Sequence, residues 1–119
     1  MTTMDCRRVL QRMLVVAAIA LSASQGLCGT LTGTISSILY HNAIPGIAFV
    51  TLNGTTSGPP GCAAVYTAMA LDLTTVTGKA IHTNLLLSRL TNPAASVTLN
   101  GTNGCATYTG YESVSHVWF

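Results

Sequence analysis

The most restrictive feature of this sequence is a single leucine-rich helix predicted in the middle of a chain that otherwise favours strands. The helix start is marked by Asp72–Thr75, whose side-chain oxygens can cap backbone N–H groups. From Val76 to Leu90 the apolar residues recur at helical spacing and form one broad face, and Asn92-Pro93 ends the pattern. An apolar helix face must be buried, so the strands around it have to leave an open end for it to cover.

Five stretches of the chain have the composition and alternation of strands. They are Gly29–Tyr40, Ile47–Leu52, Ala63–Leu71, Ser96–Leu99 and Tyr111–Trp118. The third stretch is also rich in alanine and methionine, which suits a helix, but its alternation favours a strand. The second is expected to end in a turn at Asn53-Gly54.

The first predicted strand changes face partway along its length. Leu31 and Ile35 share one face, whereas Ile38 falls on the other. A β-bulge near Ser36-Ser37 would return the later residues to the core side, and strongly coiled strands of small barrels use bulges in this way.

The predicted element order is therefore β-β-β-α-β-β. Five strands with a helix between the third and the fourth is the order of the OB fold, a small and partly open barrel. In this interpretation residues 29–119 form one mainly β, OB-fold-like domain, and the apolar face of the helix plugs one end of the barrel. A β-sandwich is the alternative, but it has no ready place for so apolar a helix in mid-chain.

A short internal repeat links two of the strands to cysteines. The hexapeptide Val50–Thr55 recurs as Val97–Thr102, and each copy is followed by a Gly-Cys-Ala triplet. The triplets carry Cys62 and Cys105, and an oxidising compartment would let these two cysteines pair. The rest of the two segments does not match, so no duplicated domain is predicted.

The N-terminus has the three zones of a secretory signal. Met1–Arg12 is polar and basic, Met13–Leu21 is apolar, and Ser22–Ser24 supplies small residues before a cleavage site. The apolar run is too short to span a membrane, which takes about 20 residues. We predict that residues 1–24 are a cleavable signal peptide, with Cys28 as an alternative last residue. The domain is then exported to the periplasm or beyond and has no membrane association after cleavage; the fate of Cys28 stays open.

Removal of the signal leaves a domain without net charge. The charged residues that remain are two acids and two bases: Asp72, Lys79, Arg89 and Glu112. Two cations cannot neutralise a run of phosphates, so nucleic acid is not expected as a partner.

The sequence contains little that favours catalysis. Asp72 precedes the helix, where capping is the simplest role for a carboxylate. Glu112 opens the last strand, where we expect it to be solvated. The three histidines (His41, His82 and His116) show no spacing typical of a metal site. We therefore predict a protein that is not an enzyme and that uses no cofactor or metal. The aromatic residues expected at its surface are Tyr40, Tyr66, Tyr108, Tyr111 and Trp118.

Several motifs together resemble a known family. They are Gly33-Thr34-Ile35, Cys62-Ala63-Ala64, the stretch Ala70–Ala80 that runs into the helix, Val97–Gly101 followed by Cys105, and Glu112-Ser113-Val114. In this order they resemble the exported bacterial OB-fold proteins related to the B subunit of subtilase cytotoxin. The likeness covers nearly all of the chain after the predicted signal.

The resemblance implies an OB fold, a disulfide between Cys62 and Cys105, and a ring-forming pentamer. In the toxins that ring binds host glycans and carries a catalytic A subunit. The toxins place a sugar-contacting serine before a glycine in the first strand, and Thr32-Gly33 is the match here, so Thr32 is the implied ligand-binding residue. A tyrosine that the toxins use in the fourth-strand region is replaced by Asn100-Gly101.

Two functional hypotheses follow. The first is an exported, non-catalytic binding module for a glycan, similar to a toxin B subunit. The alternative is a periplasmic structural or inhibitory protein that binds a protein partner.

Overall fold

The computed structural model of the chain describes residues 28–119, so the predicted signal peptide, residues 1–24, lies outside the described residues. Five strands and one helix follow in the predicted order. They are β1 (Thr30–His41), β2 (Ile44–Ser57), β3 (Val65–Asp72), α1 (Val76–Thr91), β4 (Ser96–Gly101) and β5 (Tyr111–Trp118).

The strands close into a barrel in the order β1-β2-β3-β5-β4. All neighbouring pairs are antiparallel except β3 with β5. The predicted OB-fold-like barrel, with a single helix between β3 and β4, is confirmed.

The predicted bulge in β1 is also confirmed. The pairing of β1 with β2 shifts between Ile35 and Ser37. Leu31 and Ile35 lie in the core before the shift, and Ile38 packs against the same core after it. One inserted residue therefore keeps a long, coiled strand apolar on its inner side.

The turn predicted at Asn53-Gly54 is wrong, because β2 continues through these residues to Ser57. Gly54 lies opposite Gly33 of β1, and a Cβ on Gly54 would lie 1.7 Å from the carbonyl oxygen of Thr32. The glycine serves here for a close approach of two strands rather than for a reversal of the chain.

The core fills the barrel with buried side chains from β1 to β4 and one helix residue, and Val114 and Val117 of β5 are partly buried against them. The largest fully buried side chains are Leu31, Leu52, Leu71, Leu85, Leu99, Val50 and Val97.

Helix α1 begins at an N-cap formed by Thr75, whose hydroxyl accepts a hydrogen bond from the backbone N–H of Gly78 at 2.9 Å. The predicted broad apolar face is only partly used. Leu85 is fully buried and Ile81 packs against the core, but Val76, Leu87 and Leu90 are 87%, 57% and 81% exposed. The helix therefore packs on the barrel through few side chains, and these three residues face outward.

A disulfide joins Cys62 and Cys105, whose Cα atoms are 6.1 Å apart, and so confirms the implied pairing. It links the loop between β2 and β3 to the loop between β4 and β5. Cys28 is disulfide-bonded as well. Within residues 28–119 no helix is long and apolar enough to cross a membrane.

Candidate functional site

The residue that the resemblance singles out, Thr32, lies on the outer side of the barrel. Successive residues of a strand point to opposite faces of the sheet. Leu31, directly before Thr32, is fully buried in the core, so Thr32 points outward. The Oγ1 atom of Thr32 is 3.0 Å from the Oγ1 atom of Thr98 on β4. This contact places two hydroxyl groups side by side on neighbouring strands.

Strand registers extend this pair into a continuous polar surface, which we call the threonine face. Residues directly opposite each other in a sheet share a face, and β1 lies between β2 and β4. The threonine face consists of Thr30, Thr32 and Thr34 on β1, Ser57, Thr55 and Asn53 opposite them on β2, and Thr98 and Ser96 opposite Thr32 and Thr34 on β4. Every one of these side chains carries a hydroxyl or an amide and none carries a charge.

An exposed indole lies at the β5 edge of the threonine face. Trp118 is opposite Thr98 in the register of β4 and β5, and it is 64% exposed. The imidazole of His116 lies in a T-shaped arrangement with the indole, with ring centroids 6.0 Å apart. The row from Thr55 through Thr32 and Thr98 to Trp118 therefore combines hydroxyl groups with a large aromatic ring.

Asn100 occupies the next row, between Thr30 and His116. Its side chain is buried and its Nδ2 atom has no hydrogen-bond partner. Because this atom is fully enclosed, a ligand could reach it only after a neighbouring side chain moved. The surface thus does not present the amide of Asn100.

The chemistry of the threonine face suits a hydroxyl-rich, uncharged ligand. Hydroxyl groups both donate and accept hydrogen bonds, and an exposed aromatic ring offers an apolar surface against which a flat ligand face can pack. The two described cations, Lys79 and Arg89, are on helix α1 and not on this face. The threonine face therefore offers no lysine or arginine to pair with a phosphate or sulfate group.

The other aromatic residues divide into two groups. Tyr40 and Tyr66 are 50% and 54% exposed, as predicted. Tyr108 and Tyr111 are half-buried and pack against Phe49, with ring centroids 5.2 and 4.8 Å from it, so their predicted exposure is only partial. The three rings therefore pack the loop after β4 and the start of β5 against β2.

A small cavity lies at the turn between β1 and β2. Its volume is about 160 Å³, and it is lined by Tyr40, His41, Asn42, Ile44, Pro45, Gly46, Ile47 and Leu73. The Tyr40 hydroxyl makes a hydrogen bond with Nε2 of His82, which joins this turn to helix α1. The volume of the cavity is smaller than the roughly 300 Å³ from which ligand pockets usually start.

Asp72 has a structural role, as predicted, although Thr75 is the N-cap. Its Oδ1 atom accepts hydrogen bonds from the Thr74 hydroxyl at 2.6 Å and the Thr74 backbone N–H at 2.8 Å. These two bonds, the hydroxyl first, hold the pKa of Asp72 below its ordinary value of 3.8. The carboxylate thus orders the turn that leads into α1.

The predicted solvation of Glu112 is wrong, because its side chain is only 3% exposed. Oε2 accepts hydrogen bonds from the backbone N–H groups of Gly29 at 2.9 Å and Asn103 at 3.0 Å. Burial raises the pKa of Glu112 above its ordinary value of 4.5, and the two N–H groups offset part of that rise. Glu112 ties the start of β1 to the loop after β4.

Sequence reasoning missed Thr98 and Thr55, which only the strand register brings beside Thr32. The signal that could have found them is the alternation of Thr30, Thr32 and Thr34 with apolar residues or glycine. Among residues 28–119 no group of three or more histidine, cysteine or acidic side chains could hold a metal ion.

Comparison with protein-family models, with curated proteins and with solved structures finds no match to this chain. The resemblance to the toxin B-subunit family therefore stays a prediction from the motifs.

Proposed function

We propose that this protein is an exported, non-catalytic binding module whose threonine face holds a glycan. The observation that carries the proposal is the row that joins Thr32 and Thr98 to the exposed indole of Trp118. Sugars present hydroxyl groups at their edges and apolar C–H groups on their faces, and this row offers a counterpart to each.

The surroundings of the row support the same ligand class. The threonine face has no charged side chain, so recognition depends on hydrogen bonds and ring packing. It is also built on paired strands of a closed barrel, which hold the hydroxyl groups at fixed spacing. Little conformational entropy is then lost when a ligand binds.

A glycan array on the exported protein tests the proposal. We expect binding to a neutral glycan, and we expect Trp118→Ala and Thr32→Val each to weaken the affinity about tenfold, which corresponds to roughly 1.4 kcal/mol. Tyr66→Ala and Thr83→Val are matched controls, because Tyr66 is exposed on β3 and Thr83 lies on α1. An array without any bound glycan, or equal losses in variants and controls, contradicts the proposal.

A protein partner is the second candidate, and the exposed apolar side of α1 favours it. Val76, Leu87 and Leu90 are the most apolar part of the described helix surface, and a surface of this kind is typical of interfaces. We infer that the partner is a second copy of this chain, as the family resemblance implies. The helix side and the threonine face would then serve assembly and ligand binding separately.

Light scattering on the mature protein tests the assembly. We expect a mass several times that of one chain, and we expect Leu87→Ser combined with Leu90→Ser to reduce it to one chain. Leu39→Ser is the control, since Leu39 is 54% exposed but lies on β1. A wild-type protein that runs as a monomer contradicts the inferred assembly and leaves the glycan proposal to its own test.

A further inference from the structure

Glu112 lies where three backbone segments meet, and it fills the space between them. Gly29 comes before β1, Gly101 ends β4, and Asn103 belongs to the following loop. A Cβ on Gly29 would lie 2.0 Å from Oε1 of Glu112, and a Cβ on Gly101 would lie 1.9 Å from Oε2. The carboxylate therefore occupies the space that a Cβ would need at both glycines.

The carboxylate of Glu112 holds the backbone nitrogen of Gly29, the residue directly before β1. It is 2.9 Å from Oε2, and the carbonyl oxygen of Gly29 accepts a hydrogen bond from the Gly101 N–H at 2.9 Å. Gly29 is itself buried. Its nitrogen is thus fixed against Glu112 from both sides of the residue.

No cation accompanies this buried carboxylate among residues 28–119. Its hydrogen-bond partners are two neutral N–H groups, and burial is the largest influence on its pKa, which it raises. The two described cations, Lys79 and Arg89, both belong to α1. Burying a carboxylate without a paired cation is costly, and pairing offsets that cost.

A cut between Cys28 and Gly29 would place a cation beside Glu112. Gly26 and Cys28 are small enough to occupy the two positions that signal peptidase reads before its cut. The new α-amino group would then be the Gly29 nitrogen, which already lies at hydrogen-bond distance from Glu112. An α-amino group has an ordinary pKa of about 7.7–8.0 and is mostly protonated at neutral pH.

We propose that the mature protein begins at Gly29 and that Glu112 is the receptor for its new α-ammonium group. Hydrolysis of the Cys28–Gly29 peptide bond by one water molecule leaves a carboxylate on Cys28 and an ammonium on Gly29. The ammonium and Glu112 form a buried ion pair that anchors the start of β1 to β4 and β5. This inference depends on the export included in the proposed function.

The first test is the intact mass and N-terminal sequence of the protein recovered from the exported fraction. We expect a chain that starts at Gly29. An exported chain that retains Cys28 overturns this inference and leaves the binding proposal intact, whereas a chain that is not exported at all contradicts the export itself.

The second test measures the Gly29 α-amino group with an amine-acylating reagent at neutral pH. In the folded protein we expect it to react at least about tenfold more slowly than in the same protein unfolded in urea, since pairing with Glu112 raises the pKa of the amine and leaves less of it unprotonated. Glu112→Gln is expected to restore most of the reactivity. Asp72→Asn, the matched change at the other described carboxylate, is expected to have no effect.

Equal reactivity of the folded and unfolded wild-type protein overturns the ion pair. This comparison needs no substitution, so it decides the matter even if Glu112→Gln does not fold. If Glu112→Gln folds and reacts as slowly as the wild type, the ion pair is also contradicted, because burial alone then explains the protection.

Discussion

At the scale of single residues, Glu112 is a charged residue type that is almost fully buried in the folded domain. Its carboxylate accepts hydrogen bonds from Gly29 and Asn103, which are 83 and 9 residues away along the chain. Two glycines make room for it. The same carboxylate is destabilising when it is charged and unpaired, and a paired cation offsets part of that cost.

In the uncleaved chain, in which Cys28 is still joined to Gly29, the pH dependence of the free energy of unfolding should report on the protonation of Glu112. The pKa of Glu112 is raised by burial, so the folded state favours the protonated form. Its stabilising contribution is complete below the ordinary pKa of 4.5 and is lost as the pH rises through the raised value. In urea unfolding of this uncleaved chain, the free energy of unfolding should therefore fall over that interval.

Glu112→Gln should remove this fall, and Asp72→Asn should leave it in place. Asp72 has a lowered pKa, so its contribution is present above its ordinary pKa of 3.8 and is lost only as the pH falls below it. A stability of the uncleaved chain that rises between pH 4.5 and neutrality would contradict the assignment to Glu112. In a chain that begins at Gly29 this fall should be smaller, because the ammonium favours the charged form of Glu112.

At the scale of elements, α1 contributes less to the core than its composition predicts. Leu85 is its only fully buried large side chain, and Ile81 is partly buried beside it. Leu87 and Leu90 are exposed on the same helix. The helix is therefore held to the barrel by few side chains and keeps an apolar surface free for other contacts.

Alanine substitutions within α1 should separate the buried leucine from the exposed ones. Leu85→Ala should lower the free energy of unfolding by about 3 kcal/mol, since truncating a buried leucine costs roughly 2–5 kcal/mol. Leu87→Ala should change it by less than about 0.5 kcal/mol. Urea unfolding at a concentration where the protein is monomeric measures both, and equal losses would contradict the described helix orientation.

At the scale of the whole molecule, the barrel is closed both by hydrogen bonds and by a covalent link. Strand β1 pairs with β2 along its length and with β4 through Thr30–Thr34. The disulfide joins two loops whose cysteines are 43 residues apart in sequence. A domain of this size buries a limited core, so a cross-link adds substantially to its stability.

Removing the disulfide should therefore destabilise the domain without changing its fold. For a loop of this length, chain entropy gives a loss of about 4 kcal/mol for Cys62→Ser combined with Cys105→Ser. Urea unfolding measures the loss, and circular dichroism of the folded variant checks that the strands persist. An unchanged stability would mean that the link adds nothing to the closed barrel.

The local pattern of the sequence determined the elements and their order. Alternation and helical spacing are properties of neighbouring residues, so the five strands, α1 and the bulge after Ile35 could be predicted from them. Within the candidate site, Thr32 was reachable only through the resemblance to a known family.

Tertiary structure decided which of these residues act together, because register and burial depend on segments far apart in the chain. The pairing of β1 with β4 places Thr98 beside Thr32, and the pairing of β4 with β5 brings Trp118 to the same row. The burial of Glu112 and the continuation of β2 through Gly54 have the same origin. In each case another segment of the chain supplies the contact, and no pattern of adjacent residues can specify it.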